Sequence, residues 1–234
     1  MIRNLKAFGL VLVAVFAFGA VAASGASAAQ AYLTGDGPLS EVHGTQIGAA
    51  SANRLTALST FTHCNTATYK GEMEGASNEH GTTLTVSPEY GSCKSTILGV
   101  ETHVAMNGCY YIFHVEETTA SPADTYGVNS TLECETSGRP TVTITTNPDC
   151  TMTIETPGTS NYPGLDVLDN TTGDLVLKGT ATGISIGTTA GCPGGAGTGK
   201  PASLDAEATI TGVNEGGTAT NIGISELGET TSTP

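Results

Sequence analysis

The stretch VETHVAMNGCYYIFHVEE, residues 100–117, decides the fold class. Val100, Thr102, Val104 and Met106 alternate with their neighbours, Asn107-Gly108 follows, and a second alternating run puts Cys109, Tyr111 and Phe113 on one face. A period of two is that of a half-buried strand. Asn-Gly suits a tight two-residue turn, where both positions take positive φ. The stretch therefore reads as a β-hairpin with Met106 opposite Cys109 and His103 opposite Ile112.

The same pattern extends in both directions. Residues 59–74 and 82–88 read as two strands around the turn GASNEHG. Residues 127–134 read as a strand returning beside the one that opens at Cys109. Residues 141–146 and 150–156 form another hairpin around NPD, and 165–187 hold a turn at 169–173 and a long strand that returns beside 150–156. The last strand is 205–213, and the Gly/Thr-rich residues 214–234 read as a flexible tail. Thr and Val favour strands and Gly favours turns. Beyond the N-terminal segment, no run keeps helical apolar spacing for more than two turns. The expected fold is all-β: an antiparallel, β-sandwich-like, disulfide-stabilised domain over 29–213. The alternative is two packed β subdomains divided near 118–126.

The first residues carry Arg3 and Lys6, then an apolar run to about Ala23, then Ala26-Ser27-Ala28. That order is the layout of a secretory signal peptide, 1–28, with cleavage after Ala28 and a second site at Ala29-Gln30-Ala31. An uncleaved anchor is the competing reading, and the small-residue boundary favours cleavage. No later stretch is apolar for long enough to span a membrane, so no stable insertion is expected after cleavage. Removing Arg3 and Lys6 takes the formal net charge from −14 to about −16. So acidic a chain does not suit a phosphate backbone, and nucleic acid is excluded as an expected partner.

Six cysteines, Cys64, Cys93, Cys109, Cys134, Cys150 and Cys192, all follow the signal segment. An even number in an exported chain reads as a disulfide framework. Their spacing is too wide for a zinc site, and no metal is expected. Many pairings are open to six cysteines. The strand order proposes Cys64–Cys93, Cys109–Cys134 and Cys150–Cys192, each tying neighbouring strands.

Gly194, Gly199 and Lys200 have the spacing of a nucleotide-binding P-loop. The position after the lysine, where a Ser or Thr hydroxyl would hold magnesium, is Pro201, and no amphipathic helix follows. A Gly-rich loop after Cys192 is the better reading, with no nucleotide and no cofactor. His103 and His114 share a face in the hairpin register but have no visible third ligand. No G-x-S-x-G elbow is present. The segment 169–174, DNTTGD, lacks the order of a calcium loop and reads as a polar turn. Asn129 and Asn170 open N-glycosylation sequons, relevant only where the source glycosylates. Tyr110, directed away from Tyr111 and Phe113, and Tyr126 are the candidates for stacking on a ligand.

The runs LTVSPEYGSC, VAMNGCYYIF, CTMTI and GCPGG, together with the signal, resemble a set of uncharacterised exported, cysteine-containing, β-rich proteins of soil actinobacteria. The likeness extends from the signal to about residue 213. It implies a secreted β-sandwich-like protein and no activity, cofactor or binding residue. The functional expectation is a secreted or cell-surface, non-catalytic structural or interaction protein with an extracellular polymer or protein as partner. The alternatives are a carbohydrate-binding module using Tyr110 or Tyr126, and a small extracellular hydrolase gathering His63, His103 or His114 with carboxylates.

Overall fold

The computed structural model of the chain describes residues 31–35, 39–48, 53–74, 80–81, 83–96, 99–115, 125–135, 142–146, 149–155, 160–169 and 175–226. The expected signal peptide, the turn after Asp169 with its Asn170 sequon, most of the boundary region 118–126 and the last eight residues lie outside them. In chain order the strands are β1 (Ala31–Gly35), β2 (Leu39–Gln46), β3 (Arg54–Ala57), β4 (Thr60–Glu74), β5 (His80–Gly81), β6 (Thr83–Ser95), β7 (Glu101–Ala105) and β8 (Cys109–Val115). There follow β9 (Thr125–Cys134), β10 (Thr143–Thr146), β11 (Cys150–Ile154), β12 (Ser160–Asp169), β13 (Leu175–Thr188), β14 (Gly197–Asn214), β15 (Ala219–Thr220) and β16 (Ile222–Glu226). No helix occurs among the described residues. The fold is all-β, antiparallel and sandwich-like, with three disulfides.

Four long strands, β4, β6, β13 and β14, organise it. Each has shorter strands arranged end to end along one edge. β6 carries β8 beside residues 83–86 and β7 beside 93–94. β13 carries β12 beside 176–178 and β11 beside 186–188. β14 carries β2 and β3, and both of these also pair with β4. The ladders therefore close twice. One circuit runs β4–β6–β8–β9–β12–β13–β14–β2 and back to β4. The other runs β4–β6–β7–β10–β11–β13–β14–β3 and back to β4. Closure satisfies backbone groups that an open sheet edge would expose.

Each circuit encloses its own core. The first holds Val42, Leu84, Val86, Leu175 and Ile210. The second holds Leu55, Ile144, Met152, Ile154 and Ile186, together with Cys109, Cys150 and Cys192. The two cores are stacked along the shared strands. They are not successive segments of the chain, and a boundary near 118–126 does not part them: β8 and β9, on either side of it, pair from Cys109–Cys134 to Val115–Val128.

Where the cores meet, the inward positions slip by one. In β4 the buried residues run Thr62, Cys64, then Ala67, Tyr69. In β6 they run Leu84, Val86, Pro88, then Cys93, Ser95. Ser92 has φ 51°, in the left-handed region. β13 makes the same adjustment at a bulge beside Gly183, φ 72°. Bulges of this kind increase local twist and re-aim side chains.

Two expectations need correction. Asn107-Gly108 does turn as its residues predict, with φ 54° and 78° and a Cys109 N–H to Met106 C=O bond of 2.9 Å. The flanking strands, however, do not pair with each other. Both lie antiparallel to β6 and follow one another along its edge. In that position β7 is also bonded to β10, and β8 to β9, so each strand has ladders on both sides. The second correction concerns the expected tail from 214. β15 turns back to pair antiparallel with the end of β14, and β16 pairs with β1 from Gly35–Ile222 to Ala31–Glu226. Ile222 and Ile224 alternate with Gly223 and are buried with Leu33 in the first core. Two isoleucines at strand spacing remove more apolar surface from water than a free tail can forgo.

Candidate functional site

The disulfides fall on the proposed pairs. Cys64–Cys93 joins β4 to β6, Cys109–Cys134 joins β8 to β9, and Cys150–Cys192 joins β11 to the loop after β13. Cys93 lies within β6, directly opposite Cys64, because that strand runs on to Ser95. Three such bonds fit an oxidising compartment. Among the described residues, no helix is long and apolar enough to cross a membrane.

The Gly-rich segment with P-loop spacing is part of a β-hairpin. Lys200 is in β14, opposite Ile186 on β13. Its Nζ donates to the carbonyls of Gly194, at 3.2 Å, and Gly195, at 2.6 Å. The lysine thus satisfies carbonyl groups of its own loop, and the strand–loop–helix context of a phosphate cradle is missing here.

The histidines are separated. His103 is exposed on β7, opposite Thr145. His114 is exposed on β8, with Nδ1 3.3 Å from Thr83 Oγ1. His63 is half-buried on β4, its ring 5.9 Å from that of Phe61. No group of three His, Cys, Asp or Glu that could hold a metal occurs among the described residues.

Of the two stacking candidates, Tyr110 is half-buried on the outer side of β8, and its hydroxyl donates to Glu133 at 3.3 Å. Tyr126 is not a surface platform. The alternation of β9 turns it inward with Val128, Ser130 and Leu132, and it is only 9% exposed in the first core. The aromatic residues that line interior space are others: Tyr69, Tyr90, Tyr111 and Phe113. Tyr111 and Phe113 were legible as an inward pair. Tyr69 and Tyr90 are diagonal neighbours across the β4–β6 ladder, opposite Pro88 and Ala67, and the sequence analysis did not single them out.

These four surround a cavity between the stacked cores, with room of about 40 Å³ for water-sized molecules. Its lining is apolar, and part of it is built from small residues of β13 and β14, including Gly179, Ala181, Ala206 and Ala208. The hydroxyl of Tyr90 is hydrogen-bonded to those of Tyr69 and Tyr111. Tyr69 in turn donates to Oδ1 of Asn53 at 2.9 Å. Asn53 is 2% exposed, and its Nδ2 has no partner among the described residues. Burial holds the Tyr69 and Tyr90 hydroxyls above the usual phenol range, since a phenolate here would lose its hydration. The Tyr69 and Tyr90 rings meet edge to face, 6.5 Å apart at 83°.

On the outer wall of the second circuit is a wider, polar groove of about 750 Å³, lined by residues that include Asn65, Lys94, Glu101, His103 and Thr145. Comparison with known proteins finds no matching family model, and neither a curated protein nor a solved structure that matches the chain.

Proposed function

We propose that the protein is a secreted, non-catalytic scaffold that works outside the cell or at its surface as a structural or interaction module. The observation that carries the reading is the placement of the disulfides. Two of them staple strands paired in the closed ladders, and the third ties β11 to the loop that follows β13. Cross-links of this kind restrict the unfolded chain, and each stabilises by about 2–4 kcal/mol where no reductant reaches it. A fold with no Trp and only 5% aromatic residues depends on that contribution. The acidic composition supports solubility in the same setting. The polar groove beside Cys93 is the concave face a partner would meet.

The test is to express the full chain in a Gram-positive secretion host and fractionate the culture. Mature protein in the supernatant or wall fraction, beginning near Ala29 and carrying the three disulfides, is the expected result. It should co-sediment with wall polymer or with a secreted protein and leave soluble glycan and ester substrates unchanged. Retention in the cytoplasm with reduced cysteines, or turnover of any of those substrates, refutes the reading.

A further inference from the structure

A row of charged side chains crosses the outer wall of the second circuit. Asp205 of β14, Arg54 of β3, His63 of β4, Lys94 of β6 and Glu101 of β7 stand opposite one another, each in register with the next. Their strand neighbours Leu55, Cys64, Cys93 and Thr102 are buried, so the row faces outward. At its middle the basic residues Arg54, His63 and Lys94 are consecutive. Like charges on adjacent strands destabilise a sheet, and the chain has only 8 Lys and Arg against 22 Asp and Glu. The core does not require this grouping, since the side chains lie outside it. Departures of this kind from local preference concentrate at functional sites.

One end of the row is committed and its centre is open. Asp205 accepts from Arg54 through Nε at 3.2 Å and Nη2 at 2.8 Å, and from the Thr180 hydroxyl at 2.8 Å. The Arg54 guanidinium lies 5.6 Å from the centre of the Phe61 ring, and the His63 ring lies 5.9 Å from it. Phe61 is thus held in place although it is 37% exposed, the only large apolar side chain so exposed among the described residues. Lys94 is exposed and makes no ion pair among the described residues. It also lines the polar groove of about 750 Å³, with Asn65, Ser92, Glu101, His103 and Thr145. Amide, hydroxyl, carboxylate and imidazole groups there match the donors and acceptors of sugar hydroxyls.

We propose that this face, from the groove across Lys94 and His63 to Phe61, binds an acidic polysaccharide, a chain of sugars bearing carboxylate or phosphate groups. The inference rests on the reading of the protein as an extracellular interaction module and names its partner. Lys94 and His63 donate to the anionic group, and the bond from the ammonium is charge-assisted. The Phe61 ring offers an apolar surface to the C–H face of a sugar. The groove takes the hydroxyls of an adjoining sugar. A neutral glycan would use the groove and the ring but leave Lys94 unpaired. The rest of the surface is acidic and repels such a polymer, so the row also decides where on the molecule it lies.

The test measures binding of the purified, disulfide-intact protein to polygalacturonate, phosphomannan and dextran by calorimetry. One or both charged glycans should bind at least about tenfold tighter than dextran, and the stronger of the two identifies the anionic group. Lys94→Glu should weaken that binding by about tenfold or more, and Phe61→Ala by a smaller factor, with circular dichroism unchanged. Lys94→Gln serves if Lys94→Glu does not fold. Lys70 is exposed on β4, opposite His43. Lys70→Glu makes the same change in net charge outside the face and should leave binding within about twofold. Equal weakening by Lys70→Glu and Lys94→Glu, equal affinity for dextran, or no binding to either charged glycan overturns the proposal. Secreted protein that co-sediments with wall polymer equally well after Lys94→Glu overturns this site and leaves the scaffold reading standing, whereas cytoplasmic retention with reduced cysteines refutes both.

Discussion

Two glycines in one ladder should respond very differently to the same substitution. Gly71 of β4 and Gly91 of β6 both lie in the β4–β6 pairing. Neither has a positive φ, so alanine is sterically allowed at both as far as the backbone angles are concerned. They differ in what a Cβ would meet. At Gly71 it would overlap the Thr85 carbonyl oxygen and lie 2.7 Å from Thr85 C and 2.8 Å from Val86 Cα, all backbone atoms. At Gly91 it would meet Thr66 Oγ1 at 2.5 Å, with Thr66 Cβ at 3.9 Å, and the Thr66 side chain is exposed and can rotate away. Relieving the first clash requires the strands to part by about 1 Å, which stretches N–H···O bonds from about 2.9 Å to beyond hydrogen-bonding range. Losing two or three such bonds, at about 1–1.5 kcal/mol each, costs about 2–5 kcal/mol. Gly91→Ala should fall within about 1 kcal/mol of neutral, because the reduced freedom of the unfolded chain offsets the rotation of Thr66. Guanidinium unfolding under non-reducing conditions measures both. At about 2–4 °C per kcal/mol for a chain of this size, Gly71→Ala should lower Tm by roughly 4–20 °C. Equal stability of the two variants, within about 0.5 kcal/mol, would refute the close approach of β4 and β6 at this point.

Further predictions concern pH, covalent closure and turn strain. An unfolded phenol ionises near pH 10, whereas burial keeps Tyr69 and Tyr90 protonated above that. Above pH 10 the native state therefore binds more protons than the unfolded state. Stability that is complete below this pH should fall as it rises, by about 1.4 kcal/mol per unit for each group. Tyrosinate absorbance followed together with circular dichroism should show the buried tyrosines ionising as the fold is lost; ionisation of all seven tyrosines before any unfolding would contradict this. Replacing Cys150 and Cys192 by serine opens a loop of 42 residues and should cost about 4 kcal/mol in denaturant unfolding, more than removing either shorter bridge. Ser59, exposed in the Leu58-Ser59 turn with φ 61°, should gain about 0.5–1 kcal/mol on replacement by glycine, read as a higher denaturant midpoint.

Several features of the fold were legible because local chemistry and global placement agree. The β10–β11 hairpin has clean alternation, and Val142, Ile144, Met152 and Ile154 are all buried. The three disulfides follow from strand order, since each joins cysteines consecutive in the sequence. Elsewhere the pattern was hidden. β2 reads LSEVHGTQ, with Val42 its most deeply buried residue and its other inward positions filled by Leu39 and Gly44, so it lacks an apolar run. β14 begins inside the Gly-rich loop, where Gly199 at φ 68° looks like turn material but lies within a ladder. At Asn107-Gly108 the turn signal was right, but a local signal does not determine which neighbour the flanking strands choose; the free edge of β6 did that. The interior cavity was the least legible of all. It is lined from β4, β6, β8, β9, β11, β13 and β14, and Tyr126 and Tyr110 were more conspicuous in the sequence than Tyr69 and Tyr90.

Sharing four strands between two circuits imposes an order of assembly. β14 contributes to both, and it is the last of the four in chain order, far along the chain from its partners β2 and β3. The first circuit cannot close before residues 208–214 are in place, nor the second before 202–205, so both depend on this one strand. The cysteines need no such delay. First pairs with second, third with fourth and fifth with sixth, so each pair is complete in the chain before the next begins. All six cysteines thus precede the strand that closes both circuits, so the covalent framework is encoded wholly upstream of the last closure.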